Sequence, residues 1–157
     1  MNTNRRSFLK SSAVASAVGV AISAGLISPR TVLASSWPQA AFEASSLDAA
    51  ISAAFGGVTI ADSNDIKLKA PDIAENGAVV PIQVTSNIAG TESISFLVSN
   101  NNTPMTATFN LSKECEGFAG TRIKMLKTSD VIAVVKAKGK YYKTTKEVKV
   151  TIGGCGG

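Results

Sequence analysis

Five residues near the end of the sequence, Gly153-Gly154-Cys155-Gly156-Gly157, set one thiol between two pairs of glycines. A thiolate is a nucleophile that forms and exchanges bonds to sulfur. Glycine takes both signs of φ at little steric cost, so nothing local fixes the sulfur in place. The segment therefore reads as a thiol on a flexible arm. Three residues separate the end of the preceding strand from Cys155, a reach of at most about 10 Å. The glycines also remove bulk on both sides, so the thiol could pass into a narrow cleft of another protein. No neighbour in sequence lowers its pKa, which is expected near the free value of about 8.5. Such a group is a poor resident catalyst. It suits a carrier that other proteins activate, load and unload.

The second cysteine, Cys115, stands in Lys113-Glu114-Cys115-Glu116-Gly117. Its acidic neighbours disfavour a thiolate. Three readings stay open: a free, partly buried thiol, a disulfide to another chain, and a bond to Cys155. The rest of the composition is mainly exclusion. The 157 residues include no His and two Cys. That removes Ser-His-Asp and Cys-His nucleophiles, His-ligated zinc or haem, and an imidazole base. Two thiols cannot close a four-thiolate metal site, and no glycine-rich phosphate loop of the Walker type occurs. No cofactor and no metal site are expected.

Charge is informative once the start of the chain is set apart. Asn4-Arg5-Arg6-Ser7-Phe8-Leu9-Lys10 has the form of a twin-arginine export signal, with Asn where Ser or Thr is usual. The apolar stretch Ala13 to Ile27 is short of the roughly 20 residues a bilayer span needs. Val32-Leu33-Ala34 offers a cleavage site before Ser35. Residues 1–34 are read as a signal peptide, so the mature chain is expected in the periplasm with no stable membrane span. They hold Arg5, Arg6, Lys10 and Arg30 and no acid, which leaves 12 basic and 11 acidic residues in 35–157. Nucleic-acid binding loses its support with that basic excess. What remains is local: nine basic and two acidic residues from Arg122 to Lys149. These are read either as edge-protecting lysines on strands or as a surface that attracts anions or an acidic partner, with Arg122 and Lys124 as candidates.

The elements that would position the arm follow from periodicity. Residues 37–55 read as helical, with Ser36 as a cap, Pro38 early in the helix and Gly56-Gly57 as the stop. Phe42, Leu47, Ile51 and Phe55 supply an apolar side that packs on the domain or on a partner. Ser45-Ser46 could divide it. After Gly57 the period changes to two. Strands are expected at 58–60, 66–69, 79–85, 93–99, 105–111, 121–127, 131–137 and 141–152, with Pro81 marking an edge or bulge. Met105, Ala107, Phe109 and Leu111 are expected on one inward face. The fold class is all-β, an immunoglobulin-like antiparallel β-sandwich with a short N-terminal helical segment. The domain is expected to span 35–152 and the arm 153–157.

The ending Lys146-Glu147-Val148-Lys149-Val150-Thr151-Ile152-Gly153-Gly154-Cys155-Gly156-Gly157 closely resembles that of SoxY, the sulfur-carrier subunit of bacterial thiosulfate-oxidising (Sox) systems. Thr121-Arg122-Ile123-Lys124-Met125 and Val131-Ile132-Ala133-Val134-Val135-Lys136-Ala137 fit as well, and the resemblance covers essentially the mature chain. It implies a non-enzymatic carrier with Cys155 as the attachment atom and Gly153, Gly154, Gly156 and Gly157 as the arm. It further implies a heterodimer with a SoxZ-like sandwich subunit. A SoxXA-like haem enzyme would join thiosulfate to the thiol. A SoxB-like dimanganese hydrolase would release sulfate, and a sulfane dehydrogenase would oxidise the remaining sulfur. Cys115 is not part of the family motif. The competing reading is a structural or binding sandwich of the cell envelope whose terminal Cys makes an intermolecular disulfide. A thiol oxidoreductase is weaker, because no resolving cysteine lies nearby.

Overall fold

A serine pair and a glycine decide how the first described segment folds. The computed structural model describes residues 38–152. Helix α1 covers Gln39–Glu43 and helix α2 covers Leu47–Phe55. Between them Ser46 leaves helical geometry, and its Oγ accepts a hydrogen bond from the Ala49 amide at 3.3 Å. That bond satisfies one of the free donors of the first turn. Gly56 ends α2 at φ 70°, a left-handed conformation that costs glycine little. The helical stretch is thus two helices. Pro38 sits at the N-cap of α1 with no side-chain cap bond. Ser36 and the signal segment lie outside the described residues.

Nine strands follow: β1 Ile60–Asp62, β2 Ile66–Lys69, β3 Ile73–Ala74, β4 Val80–Ser86, β5 Thr91–Val98, β6 Met105–Asn110, β7 Phe118–Ile123, β8 Ser129–Ala137 and β9 Lys140–Val150. The larger sheet has the order β1-β9-β8-β5-β6, with β3 also paired to β9; the smaller has β2-β4-β7. The pairing is antiparallel except for β1 and β3, which run parallel to β9 along one edge. The expected sandwich is present, and the two-residue β3 is an addition to it.

The main core fills the space between the sheets. Val80, Ile82 and Val84 of β4 meet Ile94, Phe96 and Val98 of β5, Val131, Ala133 and Val135 of β8, and Val148 of β9. A second core lies on the outer face of the larger sheet. There Leu97, Ile132 and Val134 are covered by Ala41, Ala50 and Phe55 of the helices. The Phe55 ring packs on Tyr141 at a centroid distance of 5.2 Å. The larger sheet is therefore buried on both faces, which is why β8 reads as a nearly unbroken apolar run. The apolar side of the helices is spent on this chain's own sheet.

One residue changes sides. Phe96 pairs with Ala107, but Leu97 pairs with Met105, because the register shifts between them. Thr106 is the extra residue, and its Oγ1 donates to the Phe96 carbonyl at 2.9 Å. A one-residue shift reverses the face of everything beyond it. Met105 accordingly packs in the helix-side core, while Ala107, Phe109 and Leu111 pack on the main core as expected. Pro81 meets the expectation of an edge, though only locally. It lies in β4, the middle strand of its sheet, but β2 pairs only with residues 83–86. At Pro81 the strand has a neighbour on one side alone, so no ladder bond is lost.

The β8–β9 hairpin turns through Lys138 and Gly139, both at positive φ, 50° and 72°, the geometry of a two-residue primed turn. Glu92 holds it from β5. Its carboxylate pairs with Lys136 at 3.1 Å and accepts from the Gly139 amide at 3.2 Å. The Lys136 contact and then the Gly139 amide hold this carboxyl below its ordinary pKa. The contact is present above the ordinary carboxylate value and is lost as pH falls through the lowered one. Gly117 shows a tighter constraint. A Cβ there would stand 2.7 Å from the Ser86 carbonyl oxygen, backbone at the end of β4. Gly117→Ala is expected to cost about 1–3 kcal/mol through this overlap, read as a lower midpoint in urea unfolding with unchanged slope.

Candidate functional site

The end of β9 is where the sequence places the root of the arm, and it is tied down to its last described residue. The Thr151 amide donates to the Ala74 carbonyl at 3.1 Å, and the Gly77 amide donates to the Ile152 carbonyl at 2.8 Å. Thr151 Oγ1 donates to the Glu75 carbonyl at 3.0 Å. The Val150 amide is held by Thr128 Oγ1 at 2.9 Å. All of these partners but Thr128 belong to a strap, residues 70–79, that crosses the end of the sandwich. The strap is itself fastened. Lys146 Nζ reaches the Ala70 carbonyl at 2.6 Å and Asp72 Oδ1 at 2.9 Å. The Lys146 ammonium holds the Asp72 carboxyl below its ordinary pKa. Asn76 Oδ1 accepts from the Ala78 amide at 2.8 Å, a local turn bond that Asn forms readily. The Gly77 carbonyl accepts from the Met125 amide at 2.7 Å.

Sequence reasoning missed this strap. The signals were present in Asn76-Gly77 as a turn and in Lys146 as a cation two residues before the inward-facing Val148 of β9, but nothing in periodicity pairs residue 73 with residue 149. The predicted arm residues Gly153, Gly154, Cys155, Gly156 and Gly157 lie outside the described residues.

Arg122 and Lys124 are exposed. Both line a hollow of about 430 Å³ together with Asn101, Met105 and Leu126. Asn101 shapes it by donating to the Lys124 carbonyl at 2.7 Å and accepting from the Leu126 amide at 3.1 Å. The hollow is at the arm-root end, since Met125 binds Gly77 of the strap.

Cys115 is exposed, and its Sγ lies 3.3 Å from Ser112 Oγ. It borders a hollow of about 640 Å³ with Ser86, Glu92 and Lys138. That is the opposite end of the sandwich from the arm root. Gly77, bonded to Ile152, stands before β4; Ser86, bonded to Gly117, ends it. The seven residues of β4 separate the two ends by about 20 Å. Three residues beyond Ile152 reach at most about 11 Å, and a disulfide adds no more than about 7 Å between Cα atoms. An intrachain Cys115–Cys155 bond is thus out of reach. The thiol is exposed and not partly buried as expected, so a free but exposed thiol and a disulfide to another chain stay open. Non-reducing peptide mapping of monomeric protein is expected to find no Cys115–Cys155 peptide; finding one would mean the strap releases the strand.

Among the described residues no three His, Cys, Asp or Glu side chains stand together as a metal site. None of their helices is long and apolar enough to cross a membrane.

The family model for the sulfur oxidation protein SoxY matches residues 51–155. This chain belongs to the SoxY family. A solved structure described as the sulfur carrier protein SoxY from Chlorobium limicola f thiosulfatophilum is 44% identical. It covers 69% of this chain and 98% of that one, with a TM-score of 0.62. The family match takes in the second half of helix α2 and runs through to Cys155. An endo-beta-1,4-mannanase from Thermotoga petrophila also aligns, at 14% identity and a TM-score of 0.41 over 67% of this chain and 23% of that one. At that level nothing about this chain follows. Among curated proteins none matches it.

Proposed function

We propose that this chain is a sulfur carrier that holds thiosulfate-derived intermediates on Cys155 and presents them to separate enzymes. The observation that carries the reading is the junction at Ile152. A strand end fastened by three hydrogen bonds leads directly into the Gly-Gly-Cys-Gly-Gly segment, and the SoxY match runs through to residue 155. A fixed origin followed by side-chain-free residues suits a thiol that must be offered to several clefts. The chain itself is not the catalyst.

Loading joins the Cys155 sulfur to the outer sulfur of thiosulfate, giving a Cys–S–S–SO₃⁻ adduct. A thiolate and a dianion become one monoanion, so an electron pair must leave. A SoxXA-like haem enzyme would accept it. Hydrolysis by a SoxB-like dimanganese enzyme would then release sulfate and leave the persulfide Cys–S–S⁻ for a sulfane dehydrogenase. A SoxZ-like subunit would complete the carrier. Residues 1–34 would direct export by the twin-arginine route, residues 35–152 would form the folded carrier body in the periplasm, and 153–157 would serve as the arm.

The test is intact-mass spectrometry of the exported protein, purified without reductant from cells given thiosulfate. Thiosulfonate or sulfane-sulfur adducts on Cys155, released by reductant, are expected. A bare Cys155, or one found only in an interchain disulfide, would favour the structural reading instead.

A further inference from the structure

Five large apolar side chains are strongly exposed among the described residues: Val58, Ile73, Val79, Phe118 and Ile152. Their placement is uneven. Val58 precedes β1 at the hairpin end of β9, and Phe118 pairs with Thr85 near the Cys115 end. The other three gather at the arm root. Ile152 is the last described residue. Ile73 is carried by β3, paired to Lys149. Val79 closes the turn whose Gly77 holds the Ile152 carbonyl. They are 69%, 58% and 55% exposed, and they come from three separate parts of the sandwich end. Alternation along the strands puts Ile73 on the outer face of the larger sheet and Val79 on the outer face of the smaller one. Ile152 lies two residues beyond β9, held by Gly77 of the strap that joins them.

The length of the arm gives this collar its meaning. The strap fixes the chain up to Ile152, so the thiol at residue 155 can stand only about 11 Å from that point. An enzyme that takes the thiol into a cleft must bring the rim of that cleft against the residues around Ile152. Three of those residues are exposed and apolar, set beside the exposed polar Asp72, Glu75 and Asn76 of the strap, and burying the apolar ones on contact is favourable.

We infer that Ile73, Val79 and Ile152 form a docking collar for the enzymes that act on Cys155, received by an apolar rim around their active-site openings. The inference rests on the carrier reading and adds to it. Docking and chemistry are then coupled: the short, fixed arm cannot deliver its thiol unless the collar is covered.

The test uses the mature carrier in its native complex, with Cys115→Ser so that one thiol remains. It compares that protein with Ile73→Ser/Val79→Ser, with a form carrying extra glycines after Ile152, and with the two changes combined. Loading by the thiosulfate-joining haem enzyme is followed by intact mass. A small maleimide reports thiol access independently. The collar variant is expected to show a KM for loading raised about tenfold or more, with kcat and maleimide rate unchanged. The lengthened arm should recover much of the loss, because a longer tether frees the thiol from the collar. Unchanged KM in the collar variant would overturn the inference. So would loss of the stable complex, which would assign the collar to the permanent partner. Failure of the unmodified collar to load at all, with maleimide still reacting, would instead sink the carrier reading.

Discussion

Cys155→Ser is expected to abolish every thiosulfate-dependent mass adduct while leaving thermal unfolding unchanged. A hydroxyl is a weak nucleophile toward sulfur and forms no disulfide or persulfide, so no partial activity should survive. The fold has no stake in the substitution, because both cores are built within residues 41–148. Cys115→Ser is the matched control. Cys115 is exposed at the far end of the sandwich, beyond the reach of the arm, and that variant should load like the parent. Circular dichroism and intact mass on the same samples decide the matter. Adducts on the Cys155→Ser protein would move the chemistry to Cys115. A lowered unfolding midpoint would mean that the tail packs on the sandwich.

How much of this was legible in the sequence depends on the range of the interactions. The arm is an expectation from local chemistry, a thiol and four glycines that need no tertiary contact to be recognised, and it lies outside the described residues. Most strands of the two sheets were legible from alternation, and the breadth of β8 from its continuous apolar run, but β7 starts three residues before the expected 121–127 and β1 two residues after the expected 58–60. Ser46 was legible as a divider because capping is a bond between near neighbours. The strap was not, because its work is done across the fold. Lys146 is bound to Ala70 and Asp72, more than seventy residues away in sequence. Met105 was assigned the wrong side because one inserted residue, Thr106, reverses the pleat, and nothing in the alternation of β6 alone reveals where its partner slips. The separation of Cys115 from Cys155 likewise became a distance only when β4 was placed between them.

Phe96→Ala is expected to be the most damaging single truncation of the sandwich. Phe96 is fully buried and points between the two sheets, where its ring meets Phe109 edge-on at a centroid distance of 6.1 Å and an interplanar angle of 82°. Its cross-strand neighbours are Ala107 on β6 and Ala133 on β8. Small residues on both sides make room for the ring, and they cannot fill the space it would leave. The cavity should therefore persist, and truncation of a buried Phe typically costs about 3–5 kcal/mol. Against a total stability of about 5–15 kcal/mol, that is a large share. The edge-to-face contact adds a part that area alone does not count. Thermal unfolding should fall by roughly 15 °C or more. Phe96→Leu, which keeps most of the volume, should recover a large part of the loss, while a drop no greater than that of Ile132→Val on the helix-covered face would show that the helices, and not the inter-sheet core, hold the larger sheet. Below its unfolding transition the Phe96→Ala carrier should still accept sulfur on Cys155, since the arm is fastened at Ile152 by Ala74, Glu75 and Gly77 and not by the ring.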